Sequence, residues 1–267
     1  MANTMKPADR ICNLVPSKDT EKDWSFETAL ASGALTAPAA LPASVDLRDP
    51  SWWAVGDQED TGSCVGWATG DGVMRYLLVK AGRLAKTKKV SPRYVWMASK
   101  ETDEFQLRPE SYIEGAGTSL KAACDICRKY GVALDFDLPF KINSKMFTGD
   151  ENVFYASAAL RKAALYTNIQ LNMNSWKTTL ASGTPILAGL NVDASWDNAA
   201  ANHGLIDTFQ PSTIRGGHAI AIVGYRADGR FIVRNSWGTG WGDQGFGYIS
   251  PAYIQAGFFN EAYALVV

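Results

Sequence analysis

The sequence is poor in cysteine and histidine, with four of the first and two of the second in 267 residues. Thiols at positions 12, 64, 124 and 127 are too few for a disulfide scaffold. Two histidines leave little from which to build a zinc site, so neither a metal nor another cofactor is expected. Charge of either sign is not in excess: 26 Lys and Arg stand against 27 Asp and Glu, interspersed, for a formal net charge of −1. That balance excludes the electrostatic footprint of a nucleic-acid binder. The densest basic run, Lys86-Thr87-Lys88-Lys89, reads as a solvated loop. No apolar run approaches the ~18 to 20 residues of a membrane span. The first thirty residues also lack the basic-then-apolar order of a secretory signal, which leaves the cytoplasm or a signal-independent export route as expected locations. What the chain has in quantity is apolar surface: 46% hydrophobic residues, enough for one large core or two modest ones.

Residues 1–43 read as an extension rather than a domain. Trp24, Phe26 and Leu30 fall on one face of a short helix opened by Ser25, and Ala29 to Ala43 is an Ala/Pro/Gly-rich linker. The main body begins near residue 44 and divides at about residue 150. Its first half is helical: an apolar run from Cys64 to about Lys80, a helix opened by Ser91-Pro92, and a third capped by Thr118/Ser119 and stopped at Gly131. Cys124 and Cys127 lie inside that third helix and read as core thiols, not as a redox pair, which needs a strand-to-helix turn. The second half carries short strand-like runs at 185–192, 218–225, 230–235, 247–250 and 262–267, with the Asp228-Gly229 turn between two of them. Helices followed by strands, without βαβ alternation, predict an α+β fold in two subdomains.

Three stretches carry chemistry. A polar loop from Asp57 to Ser63 delivers Cys64 through a Gly62-Ser63 corner onto the first turn of an apolar helix. A thiol attacks as thiolate, and the partial positive charge of a helix N-terminus lowers its pKa, so Cys64 reads as a nucleophile; an inert core thiol is the competing reading. Gln58 is placed to donate from its side-chain amide to an oxygen that turns anionic, with the Cys64 N–H as second donor. Far downstream, Arg215-Gly216-Gly217-His218 puts a histidine at the mouth of a strand, and Asn235 ends the neighbouring strand of a hairpin. Such a hairpin sets the Asn amide beside the imidazole, supplying a general base and its orienting partner. His203, in a polar loop without such a partner, reads as a surface residue.

With these residues in place, the sequence resembles the papain family of cysteine peptidases from about Leu41 to the C-terminus. The resemblance is carried by Ser44-Val45-Asp46-Leu47-Arg48, Gln58 with Gly62-Ser63-Cys64, Gly217-His218-Ala219, Val223-Gly224-Tyr225, and Asn235-Ser236-Trp237-Gly238 with Trp241-Gly242 and Gly245. His218 and Asn235 follow Cys64 by 154 and 171 residues, against about 130 to 150 in that family, which implies about 20 inserted residues. The resemblance implies a papain-like fold, with a helical left subdomain and a β-rich, barrel-like right subdomain flanking a cleft. It implies a peptidase for peptides or proteins in extended conformation, with Cys64 as nucleophile, His218 as acid and base, Asn235 as orienter and Gln58 as oxyanion donor. Gly62, Gly117, Gly217 and Trp237 would line the substrate site. Two departures stand out: Val65 follows the cysteine where the family has Trp, and Thr61 falls where the family often has a disulfide cysteine. An amidase or transpeptidase with the same triad, or a catalytically silent module that keeps the cleft, are the alternatives.

The extension has two readings. Its apolar run Ile11-Cys12-Asn13-Leu14-Val15-Pro16 could lie across the cleft as a built-in inhibitor. Alternatively Trp24, Phe26 and Leu30 pack on the back of the body and only stabilise it, the reading favoured by so short an extension.

Overall fold

A computed structural model describes residues 5–103, 114–141 and 147–267; the first four residues of the extension lie outside them. The N-terminal half supplies helices. Cys64–Gly66 (α2), a π-helical stretch Trp67–Met74 and Arg75–Lys80 (α3) form one continuous rod. The sequence predicts this rod as a plain α-helix. The wider turn falls where Gly66, Gly70 and Gly72 bring neighbours close: a Cβ on Gly66 would stand 2.6 Å from that of Trp96, and one on Gly72 would stand 2.9 Å from that of Ala221. Pro92–Thr102 (α4) begins as expected, with Ser91 accepting the Tyr94 N–H and Pro92 in the first turn. In Leu120–Lys129 (α5) the Ser119 hydroxyl accepts the Ala122 N–H, and Gly131, at φ +88°, closes the other end by donating to the Ile126 carbonyl.

The described residues form an eight-stranded mixed sheet. Val45–Asp46 (β1), Leu165–Asn168 (β2), Ile186–Val192 (β3), Leu205–Ile206 (β4), Gly216–Tyr225 (β5), Phe231–Arg234 (β6), Phe246–Ile249 (β7) and Phe258–Val266 (β8) lie in the order β2-β8-β3-β5-β6-β7-β4, with β1 added on β5. The sheet is open, which corrects the barrel-like closure expected for this half. At the end of its β2 edge the extension adds a contact, where Trp24 accepts the Asn168 N–H and Ser25 bridges to Asn168. Period-two alternation serves two cores. Along β5, Ala219, Ala221 and Val223 face the helical half, while Ile220 and Ile222 join Trp176, Trp196 and Phe231 on the other face.

The rod is bolted to the sheet by charge. Asp71 receives Arg75 at 3.0 Å and Arg234 of β6 at 2.6 Å, all three nearly unexposed, with the Arg234 guanidinium over Trp53. Burial is the largest influence on Arg234 and pulls its pKa down, which the Asp71 charge opposes. Because Asn235 follows Arg234 directly, this network also fixes the distance between the two sides of the site.

The extension divides into two parts. Phe26–Ala31 (α1), with Ser25 accepting the Thr28 N–H, takes the first residues of the stretch expected to be linker. Ala29 is fully buried and Phe26 and Leu30 pack on the second core, whereas Trp24 is 52% exposed. The residues before α1 take another path, through the groove between helices and sheet.

Candidate active site

His218 sits in β5 opposite Leu190 of β3, and Asn235 follows the end of β6, the strand paired to β5. The expected hairpin thus brings both side chains together. The Ser236 N–H donates to Asn235 Oδ1 at 2.8 Å, which identifies that atom as the acceptor; His218 Nε2–H therefore donates to the same oxygen at 2.7 Å. Nδ1 is left without a partner among the described residues. Trp237 lies against the ring at 4.9 Å between centroids, and Trp196 meets it edge-on at 5.9 Å. The imidazole is walled in aromatic carbon. Its pKa is pushed down to about 4, first by burial, with the Asn235 hydrogen bond opposing and the Arg215 and Arg10 charges adding to the fall.

Cys64 opens α2, and the N–H of Ala219, next to His218, faces its thiol. Both Cys64 and His218 are 0% exposed. The sequence predicts a thiol pKa lowered by the helix terminus; in this structure burial overrides it and pushes the pKa up to about 12, while the Ala219 N–H pulls weakly the other way. Cys64 heads the continuous rod, yet a desolvated thiolate has no counter-charge while His218 stays neutral, so burial outweighs the helix terminus. Cys124 and Cys127 are free, fully buried and likewise raised by burial, as core thiols. His203 lies exposed in a turn.

Gln58 is held at three points. Its N–H donates to the Ser236 carbonyl at 2.8 Å, its Oε1 accepts the Ser236 hydroxyl at 2.8 Å, and its Nε2 donates to the Thr61 carbonyl at 3.0 Å. Thr61, in place of a cysteine, donates its hydroxyl to the Gln58 carbonyl at 2.7 Å and tightens the same loop. The remaining reach of Gln58 Nε2 goes to the Ile11 carbonyl, at 3.2 Å.

Residues 10–17 occupy the groove in extended form. Leu14 N–H donates to the Gly217 carbonyl at 2.9 Å and Val15 N–H to the Thr118 carbonyl at 3.2 Å, so the segment is hydrogen-bonded to both walls. Cβ atoms at Gly117 and Gly217 would run into the backbones of Asn13 and Leu14, which is why bare glycine stands there. A Cβ on Gly62 would lie 2.5 Å from the Asn13 amide nitrogen. The Leu14 side chain is 5% exposed, against Gly189, Phe259 and Leu120. Further along, Glu261 Oε1 accepts the Ser17 N–H at 2.9 Å. Cys12 and Leu14 lie against Gly216 and Gly217, the two residues before His218. Sequence reasoning missed Arg10, Asp57, Thr118 and Glu261 as groove residues; only the adjacency of Asp57 to Gln58 could have singled one out. Among the described residues no three His, Cys, Asp or Glu converge as for a metal ion.

Known proteins share the sequence pattern and the fold of this chain. The family described as papain family cysteine protease matches residues 41–265. Macrodontain-1 of Ananas macrodontes is 30% identical over 213 residues, covering 78% of this chain and 88% of that protein. Ananain of Ananas comosus is also 30% identical over 213 residues, 78% of this chain but 55% of its own length. Among solved structures, xylellain, a cysteine protease from Xylella fastidiosa, superposes with a TM-score of 0.77 at 21% identity over 96% of both chains. The bromelain protease of Ananas comosus, solved with the E64 inhibitor, gives 0.60 at 20% identity over 85% of this chain and 99% of that one. With a papain-like α+β fold and a family match across the body, the chain belongs to the papain family of cysteine proteases.

Proposed function

We propose that the chain hydrolyses peptide bonds in extended polypeptides through Cys64, His218 and Asn235, with Gln58 as oxyanion donor, and that residues 10–17 hold it shut. The carrying observation is the His218–Asn235 hydrogen bond of 2.7 Å, which leaves Nδ1 open to accept a proton one residue from the N–H that faces the Cys64 thiol. His218 takes the thiol proton, and the thiolate attacks the carbonyl carbon. The new oxyanion is met by the Gln58 amide and the Cys64 N–H. Collapse expels the amine, which leaves with the proton from His218; water, deprotonated by the same imidazole, then releases the acid and restores the thiol.

Gly62, Gly117, Gly217 and Trp237 form the substrate walls in this reading. Gly117 and Gly217 hold the acyl side, so in a substrate the residues paired there precede the attacked carbonyl. In the covering segment Asn13 and Leu14 come after Ile11, whose carbonyl takes the Gln58 amide. The segment therefore runs opposite to a substrate and does not present a peptide bond correctly for cleavage. Peptide hydrolysis is favoured over an amidase or transpeptidase because the groove already takes an extended polypeptide on main-chain hydrogen bonds. A silent module would have no reason to keep all four polar groups.

The test is mass labelling by an epoxysuccinyl thiol inhibitor together with cleavage of a peptide library, on the full-length chain and on one lacking residues 1–17. Label at Cys64, much faster after the deletion, with library peptides cut, is the expected outcome. In the full-length chain, label at Cys12 or Cys124 at an equal rate would refute the nucleophile, and deletion without gain in labelling would refute the shut state.

A further inference from the structure

The part of the segment on the other side of Gln58 is held by charge. Arg10 is 6% exposed, and its guanidinium makes a two-pronged contact with the Asp57 carboxylate, through Nη1 to Oδ1 and through Nη2 to Oδ2 at 2.9 Å. Nη1 also donates to the Glu59 carbonyl at 3.0 Å and Nη2 to the Trp237 carbonyl at 3.4 Å. A planar fork facing a carboxylate, with two carbonyl oxygens behind it, matches guanidinium geometry closely.

This receptacle belongs to the body, not to the segment. Asp57 bridges in β fashion to Trp237, and its Oδ1 accepts the Glu59 N–H at 2.8 Å, so the carboxylate keeps its aim when the segment leaves. Neighbouring cations are already engaged: Lys141 pairs with the Glu59 carboxylate at 2.6 Å, and Arg215 with Asp197 at 2.8 Å. Departure of Arg10 would leave Asp57 without an ion-pair partner among the described residues and two inward-facing carbonyls unpaired, a combination that attracts another guanidinium or ammonium.

We propose that Asp57, with the Glu59 and Trp237 carbonyls, is a specificity site for a basic side chain in the leaving part of the substrate, within the first two residues after the cleaved bond. The inference rests on the peptidase reading above. Ile11 marks the position of the attacked carbonyl at Gln58; Asn13 and Leu14 lie to the acyl side against Gly117 and Gly217, and Arg10 lies to the opposite side, against Trp237. Arg10 then imitates a substrate side chain, and the contact that selects the substrate is the contact that shuts the enzyme.

The library test uses the chain lacking residues 1–17, in which groove and receptacle are both empty, and the binding test uses full-length Arg10→Ala, in which the receptacle alone is empty. A random peptide library digested by the truncated chain should yield products with Arg or Lys enriched about tenfold over Gln or Leu in the first two residues after the cut, and adding Asp57→Asn should remove most of that enrichment. Cleavage without basic enrichment, or enrichment that survives Asp57→Asn, overturns the proposal. A second readout needs no turnover: methylguanidinium should raise the unfolding midpoint of Arg10→Ala more than methylammonium at equal ionic strength, and the difference should vanish when Asp57→Asn is added. Absence of that difference overturns the receptacle whether or not peptides are cut. Methylguanidinium taken by Arg10→Ala with nothing cut by the truncated chain overturns the substrate assignment through the peptidase reading, and the epoxysuccinyl label on Cys64 tells the two failures apart.

Discussion

Cys64 and His218 are both neutral in this structure, for one physical reason. Each is fully buried, and loss of water disfavours the charged form of either group, raising the thiol to about 12 and lowering the imidazole to about 4. A thiolate–imidazolium pair needs both shifts reversed, so under the proposed function removal of the segment should arm the site as well as open it. At this scale substitutions should rank by role. Cys64→Ala is expected to abolish hydrolysis with the fold intact by circular dichroism. His218→Ala should lose about 10²- to 10⁴-fold in rate while His203→Ala stays near wild type. Asn235→Ala should be milder than His218→Ala, because it orients the ring without moving a proton; an unaffected Asn235→Ala would remove that role. The comparison is kcat/KM on one small peptide, measured in chains freed of residues 1–17.

Among the elements, the extension carries two functions in sequence. Its leading part contributes Leu14, whose buried side chain is worth about 2 kcal/mol, and main-chain bonds to Gly217 and Thr118 worth about 0.5 to 1.5 kcal/mol each. Its trailing part contributes α1, with Ala29 in the second core and Trp24–Ser25 on the edge of β2. Deletion of residues 1–17 should therefore raise activity on a small peptide and lower the unfolding midpoint modestly. Deletion of residues 1–40 should raise activity and lower the unfolding midpoint further, since it also strips a sheet edge and uncovers apolar surface. Leu14→Ala in the full-length chain should act like a partial deletion, raising the Cys64 labelling rate; equal rates in Leu14→Ala and wild type would show that the side chain is not what holds the segment.

For the molecule as a whole, the folded state has a pH window with two edges. His218 has its pKa lowered from 6.5 to about 4, so the folded state binds fewer protons than the unfolded one between those values. Its stabilising contribution is present above pH 6.5 and is lost as pH falls through 4, on the order of 3 kcal/mol at 1.36 kcal/mol per pKa unit. Cys64 sets the other edge: a thiol raised from 9 to about 12 contributes stability that is present below pH 9 and lost as pH rises toward 12. The unfolding midpoint of the full-length chain should fall between pH 6.5 and 4 more steeply than that of His218→Gln, which has no imidazole to titrate; parallel slopes would refute the assignment. The Asp71 network makes a separate prediction at this scale. Asp71→Ala leaves Arg234 and Arg75 buried without their counter-charge, and should cost about 3 to 5 kcal/mol in denaturant unfolding.

Local signals sufficed where they were strong. Ser91-Pro92, Ser119 with Gly131, and the Asp228-Gly229 turn mark their elements because caps and turns depend on a few adjacent residues. The same holds for the apolar runs that became β3 and β5, and for the hairpin that sets His218 beside Asn235. Sequence alone was silent or misleading where the outcome depends on what else is packed nearby. The π turn in the Cys64 rod coincides with close approach of Trp96 and Ala221, and the sheet stays open with Trp24 and Ser25 arriving at the end of β2. The direction of the Cys64 pKa shift reversed because a helix end is a property of nearby backbone, whereas burial depends on everything packed around the thiol. Arg10 and Asp57 look like ordinary surface charges in one dimension. Only the tertiary path of the extension, which brings them together across the groove and shuts water out, makes them a pair.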